Sequence, residues 1–153
     1  MNNFSRLLQK VKDNPVMYLD EPSIICLHSF LNGYLDGRVD LGLAREGSGM
    51  QGFQEWIQTR AKTNATKSWA GIILFGSGSE RIAFYRFFEE FDQFLKQKNN
   101  SITQESEDVL PLRQFDIYNE ILKGIKKRPG MFLGGSSITR LDMLLRGYSL
   151  ARK

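Results

Sequence analysis

The sequence predicts an all-α fold in a single domain of 153 residues, and three observations carry that prediction. Apolar residues recur at helical spacing through most of the chain. A unit of thirty-five residues occurs twice, and between the copies lies a phenylalanine-rich segment that keeps the helical period for several turns. The expected architecture is therefore two pseudo-repeated helix–turn–helix units, at about 4–38 and 118–152, flanking a central Phe-rich helix. The repeat is read by sliding the chain on itself by 114 positions. Pro15 then falls on Pro129, Met17 on Met131, Leu19 on Leu133, Ser23-Ile24 on Ser137-Ile138, and Gly33-Tyr34 on Gly147-Tyr148. Leu8, Lys12, Leu27, Leu31 and Arg38 also meet identical residues, which makes twelve identities between Phe4 and Arg38 and their counterparts.

In chain order, Phe4, Leu7, Leu8 and Val11 form the stripe of a short amphipathic helix. Asp13-Asn14-Pro15 ends it, because the residue before proline is pushed out of the helical region. Val16 to Leu19 reads as a brief extended link. Asp20-Glu21-Pro22 reads as the start of a helix to about Leu35 that buries Ile24, Leu27, Phe30, Leu31 and Tyr34, with Gly37 as its stop. Residues 38–50 mix glycine with charge and read as a loop. Phe53, Trp56 and Ile57 share one helical face. Ser68 can cap a segment holding Trp69, Ile72, Ile73 and Phe75, for which periodicity alone leaves helix and buried strand both open.

Ser77 with Glu80 reads as a capping box before the longest helix, about Ser79 to Gln97. Phe84, Phe87, Phe88, Phe91, Phe94 and Leu95 follow its period, and burial of each phenylalanine contributes on the order of 1.5–3 kcal/mol. Residues 98–111 read as a flexible loop leading to the second unit. There Phe115, Tyr118, Ile121, Leu122 and Ile125 form a first helix, and Ser136 or Ser137 caps a last one through Ala151.

Composition limits the function classes. No apolar run approaches the roughly 20 residues a spanning helix needs, and the N-terminal stretch has no signal-peptide core, so a soluble cytoplasmic protein is expected. The single cysteine, Cys26, lies among Ile24, Ile25 and Leu27 and reads as a small buried hydrophobe. The net charge of +4 is unevenly spread: from Arg113 onward nine Lys/Arg face three Asp/Glu, whereas acids gather at Glu89, Glu90 and Asp92 and at Glu105, Glu107 and Asp108. The only histidine, His28, has no metal ligand or nucleophile at helical neighbour positions. The chain contains no phosphate-cradling glycine motif and no nucleophile elbow. Neither a catalytic set, a metal site nor a cofactor is expected.

One local resemblance is a coincidence of turn chemistry, and a wider one bears on function. Ile125 to Gly134, IKKRPGMFLG, resembles a stretch near the start of the type II topoisomerase ATPase domain, but the helix that follows lacks the Glu-x-x-x-Asn arrangement of that family. A wider one rests on the doubled P-x-M-[FY]-L…G-Y unit, the F-x-x-W at Phe53 to Trp56, and the run S-x-S-E-x-x-A-F-x-x-F-F-x-x-F from Ser77 to Phe91. Together these resemble small bacterial immunity proteins encoded beside polymorphic and contact-dependent growth inhibition toxins. The resemblance implies a non-enzymatic inhibitor that binds the C-terminal domain of its cognate toxin, commonly a nuclease such as an RNase, and blocks the active site. Against a basic nuclease the acidic clusters Glu89, Glu90, Asp92, Glu105, Glu107 and Asp108 are the expected contact; against an acidic surface it is Arg128, Arg140 and Arg146. The alternative is a nucleic-acid-binding module using the basic C-terminal unit, Lys126, Lys127, Arg128, Arg140, Arg146, Arg152 and Lys153.

Overall fold

A computed structural model describes residues 3–43, 49–64, 66–100, 117–127 and 137–153, and of 117–121 the backbone only. These residues form eight α-helices and no strand, so the all-α expectation holds. In order they are α1 (Asn3–Asp13), α2 (Pro15–Leu19), α3 (Ile24–Asp40), α4 (Phe53–Arg60), α5 (Trp69–Phe75), α6 (Glu80–Asn99), α7 (Ile117–Lys127) and α8 (Ile138–Ala151). They gather into two compact units: one holds α1, α2, the first turn of α3 and α4 to α6, the other the rest of α3 with α7 and α8.

The core of the first unit is aromatic. Phe84, Phe87, Phe88, Phe91 and Phe94 of α6 are all buried, as their spacing predicts. Phe53 of α4 is their hub, with ring centroids 5.7 Å from Phe87, 5.3 Å from Phe91, 5.4 Å from Phe94 and 5.8 Å from Trp69, all edge-on. Such pairs add roughly 0.5–1.5 kcal/mol each beyond the area they bury. α1 buries Phe4, Leu7, Leu8 and Val11 on one side, and Phe4 meets Phe91 edge-on at 6.4 Å. Trp56 is only partly buried: it stacks on Phe53 at 6.0 Å while its indole N–H donates to Gln97 at 2.7 Å.

Several boundaries differ from the sequence reading. Val16 to Leu19 is helical, because Pro15 occupies the first position of α2 with its φ already fixed, after an extended Asn14. Asp20 then takes a positive φ of 64° and closes α2, so the cap of α3 is Ser23, whose Oγ accepts from the Cys26 N–H. α3 runs five residues past Leu35 and takes Gly37 into its interior. The stretch expected to be a loop from residue 38 therefore begins with helix, and the turn comes at Leu41-Gly42. The segment after Ser68 is helix, capped by Ser68 Oγ accepting from Gly71 N–H at 3.2 Å. At the next junction the sequence pointed to Ser77, but Ser79 is the cap, accepting from Ile82 N–H at 3.2 Å. Ser77 instead donates to the Ile73 carbonyl and satisfies the end of α5. Phe75, which shares its apolar segment with Trp69, Ile72 and Ile73, is 83% exposed. Most of the 98–111 segment, with Glu105, Glu107 and Asp108, lies outside the described residues, as does Arg128.

In the second unit the repeated glycines explain themselves. A Cβ on Gly33 would lie 1.8 Å from the Leu144 carbonyl oxygen, and one on Gly147 would lie 1.9 Å from that of Phe30. Phe30 and Leu144 are themselves 114 positions apart, so α3 and α8 cross with each glycine set against the partner backbone at the equivalent place. One turn further on, Gly37 meets Ala151, again its own counterpart. The helix starts match too: Ser137 Oγ accepts from Arg140 N–H as Ser23 Oγ does from Cys26, the equivalent residue. Ile125 of α7 packs with Leu144, flanked by Leu141 and Leu145.

Candidate functional site

α6 presents two different surfaces beside its buried phenylalanines. Ile82, Tyr85, Glu89, Asp92 and Lys96 are spaced by three and four residues and are all exposed, so they line one solvent face. Its first half is apolar, with Ile82 59% and Tyr85 41% exposed; its second half is acidic, moderated by a 3.8 Å ion pair from Lys96 to Asp92.

Glu90 does not belong to that face. The sequence grouped it with Glu89 and Asp92, but a helix turns by about 100° per residue, which places the middle of three neighbours on another side. Its side chain is only 9% exposed, with Arg60 Nε of α4 2.8 Å from Oε2 and Arg86 Nε 3.5 Å from Oε1. Arg86 also donates through Nη1 to the Gly76 carbonyl at 2.9 Å, tying the end of α5 to α6. The Arg60 contact brings charge close without a hydrogen bond to Oε2. Buried carboxylates persist only where cations compensate them, and here two guanidiniums from separate helices do so.

These groups line a cleft of about 710 Å³ among α4, α5 and α6. Its apolar wall comes from Ile57, Ile72 and Ile73, with Phe75 and Lys67 also lining it. Lys67 Nζ lies 4.7 Å from the Phe75 ring centroid. Three cations thus share the cleft with one carboxylate. Arg60 also covers the face of Trp56, at 5.2 Å, and borders a second hollow of about 410 Å³ with Glu55, Thr59 and Gln97. The sequence reading missed Arg60, Lys67 and Arg86. Arg86 carried a signal, four residues before Glu90; Arg60, thirty residues away, carried none.

Two arginines of the second unit are held in ion pairs. Arg146 pairs with Asp142 at 2.8 Å, and Arg152 pairs with Asp40 at 3.1 Å while donating to the Tyr148 hydroxyl at 3.0 Å. Tyr148 donates to Asp40, so the ends of α3 and α8 are clamped by a buried tyrosine and an ion pair. Burial, followed by the bond to Asp40, raises the Tyr148 pKa above its ordinary value. Arg140 is partly buried, and its charge adds to the burial that lowers the pKa of His28 to about 4. His28 lies 3.4 Å from Asn32. Cys26 is buried, and that burial raises its thiol pKa, the opposite of what a thiolate nucleophile needs. Among the described residues no three His, Cys, Asp or Glu side chains gather as metal ligands, and no helix is long and apolar enough to cross a membrane. No family model, curated protein or solved structure matches this chain.

Proposed function

We propose that this chain is a non-catalytic immunity protein that binds the C-terminal domain of a cognate bacterial toxin, a nuclease, and blocks its active site. The observation that carries the reading is the solvent face of α6, where exposed Ile82 and Tyr85 continue into Glu89 and Asp92. Interfaces of this kind combine an apolar or aromatic anchor with charges that steer association. A nuclease surface that accepts phosphate is basic, so two exposed acids next to a tyrosine have the complementary sign. The resemblance of the doubled proline–methionine unit and the Phe-rich helix to immunity proteins supports the same reading. Of the three acids on α6 the proposed contact uses Glu89 and Asp92, because Glu90 pairs with Arg60 and Arg86; Glu105, Glu107 and Asp108 lie outside the described residues.

The test is calorimetry and co-purification with the toxin domain encoded beside the gene, together with survival of cells that express it. Stoichiometric binding and protection are expected. The charge reversal Glu89→Lys with Asp92→Lys should slow association about tenfold or more at low salt. Absence of both binding and protection with the parent chain overturns the proposal.

A further inference from the structure

The identities between the two similar stretches of chain include four aliphatic pairs in which both side chains are described: Leu8 with Leu122, Ile24 with Ile138, Leu27 with Leu141, and Leu31 with Leu145. In the first stretch all four are buried, at 4%, 0%, 0% and 1% exposure. In the second, the same residues are not: Leu122, Leu141 and Leu145 are partly buried and Ile138 is 80% exposed. Leu141 and Leu145 keep one side against Ile125 and Leu144. With Ile138 they are spaced by three and four residues, so the three form one stripe along α8. The first stretch shows what lies beside its own stripe. Ser23, the cap of α3, donates to Glu80 in the first turn of α6. Ala83, Phe84 and Phe87, at i+3, i+4 and i+7 from Glu80, are all buried. Ser137, the counterpart of Ser23, caps α8 in the same way.

We infer that the stripe of Ile138, Leu141 and Leu145 is a docking surface for an acidic amphipathic helix of a partner protein. That helix carries a carboxylate in its first turn and apolar residues three, four and seven positions further on, the pattern α6 presents from Glu80. Its carboxylate accepts from the Ser137 hydroxyl, as Glu80 does from Ser23, and its apolar side covers the stripe. Such spaced anchors are how an amphipathic helix is read by an apolar surface. Charge selects this occupant over a second copy of the chain. α7 and α8 carry Lys123, Lys126, Lys127, Arg140 and Arg146 against Glu120 and Asp142, so two copies meeting through this stripe would set like charge against like. An acidic helix has the complementary sign. The stripe lies on α8 and not on the α6 face assigned to the toxin, so the two readings stand or fall separately.

The experiment is a titration of the ¹⁵N-labelled full chain with three peptides. The first is residues 79–92, SERIAFYRFFEEFD, which holds the required pattern with four acids and two bases. The second is the same peptide with Glu80→Gln, and the third a scramble of the first. The first is expected to bind, with shifts concentrated at the amides of Ser137, Ile138, Leu141 and Leu145. The Glu80→Gln peptide should bind at least about threefold more weakly, and the scramble not at all. Ile138→Ser in the full chain should weaken binding about tenfold or more. It should leave the far-UV circular dichroism unchanged, because the side chain it replaces stands 80% in solvent. No binding of the first peptide, equal binding of either control, or full binding by Ile138→Ser overturns the assignment. Shifts confined to α1, α4 and α5 also overturn it, because the peptide is then only exchanging with α6. Concentration-dependent broadening of the α8 amides without peptide overturns it as well, since the occupant is then a second copy.

Discussion

The crossing of α3 and α8 makes a prediction whose sign runs against helix propensity. Gly33→Ala and Gly147→Ala each place a methyl group where a carbonyl oxygen already stands, at 1.8 Å and 1.9 Å. Ordinary contact begins near 3.4 Å, so the helices must part by roughly 1.5 Å at this point. The obstacle is helix backbone, which cannot swing aside as a side chain does. Parting also loosens the buried neighbours Phe30, Leu31, Tyr34, Met143, Leu144 and Tyr148. Since a radial gap of about 0.5–1 Å already forfeits a quarter to a half of the contact energy, the expected cost lies at or above the top of the usual overpacking range, about 3 kcal/mol. For a chain of this size that corresponds to a drop in Tm of roughly 6–12 °C.

Gly71→Ala in α5 is the matched control, because a Cβ there meets only ordinary contacts, at 3.5 Å from Lys67 and 3.6 Å from Ser68. It should stabilise by up to about 1 kcal/mol through helix propensity alone. Urea and thermal denaturation followed by far-UV circular dichroism measure all three. The double variant Gly33→Ala with Gly147→Ala should cost less than the sum of the singles, since one parting of the helices accommodates both methyls. If either single variant matches or exceeds the parent in stability, the close crossing is refuted.

Three other outcomes follow from the same geometry. His28 has a folded pKa of about 4 against 6.5 unfolded, so its contribution is fully present above pH 6.5 and is lost as pH falls through 4, up to about 3 kcal/mol; His28→Gln should flatten stability against pH in that window, as read by urea midpoints. Tyr148→Phe removes the donor to Asp40 and should cost about 1–2 kcal/mol at neutral pH. Because the Tyr148 pKa is raised, the parent should lose stability as pH climbs above 10, and the variant should lack that alkaline loss. Arg86→Ala leaves buried Glu90 with Arg60 alone and should cost about 1–2 kcal/mol in chemical denaturation, less than a fully buried pair because Arg86 is 44% exposed; Arg86→Lys should not restore it, since one ammonium cannot reproduce the fork that serves Glu90 and Gly76.

Helices were legible because their signals are local. The spacing of Phe4, Leu7, Leu8 and Val11, the phenylalanine period of α6 and the serine before α5 each lie within a few residues of what they specify. The repeat was legible as identity, and of its residues Gly33, Tyr34, Gly147 and Tyr148 are buried whereas Met17 and Ile138 are exposed. Errors arose where a local sign had a distant cause. Gly37 looked like a helix stop, but it is a glycine because Ala151 and the Tyr148 backbone lie against it. The sequence reading places the α6 cap at Ser77, but Ser77 satisfies the Ile73 carbonyl behind it and Ser79 caps the helix.

The sequence by itself determined that the chain is helical, that two of its stretches share twelve residues, and that α6 is a buried aromatic spine. Periodicity and capping act over one or two turns, within reach of a reader of residues. Only the tertiary structure decided that Glu90 turns from its acidic neighbours to Arg60 and Arg86, that Phe75 stands in solvent, and that a cleft with three cations and one carboxylate lies among α4, α5 and α6. Those facts depend on how helices separated by tens of residues are set against one another, and burial, charge pairing and cleft shape are properties of that arrangement rather than of any stretch of chain.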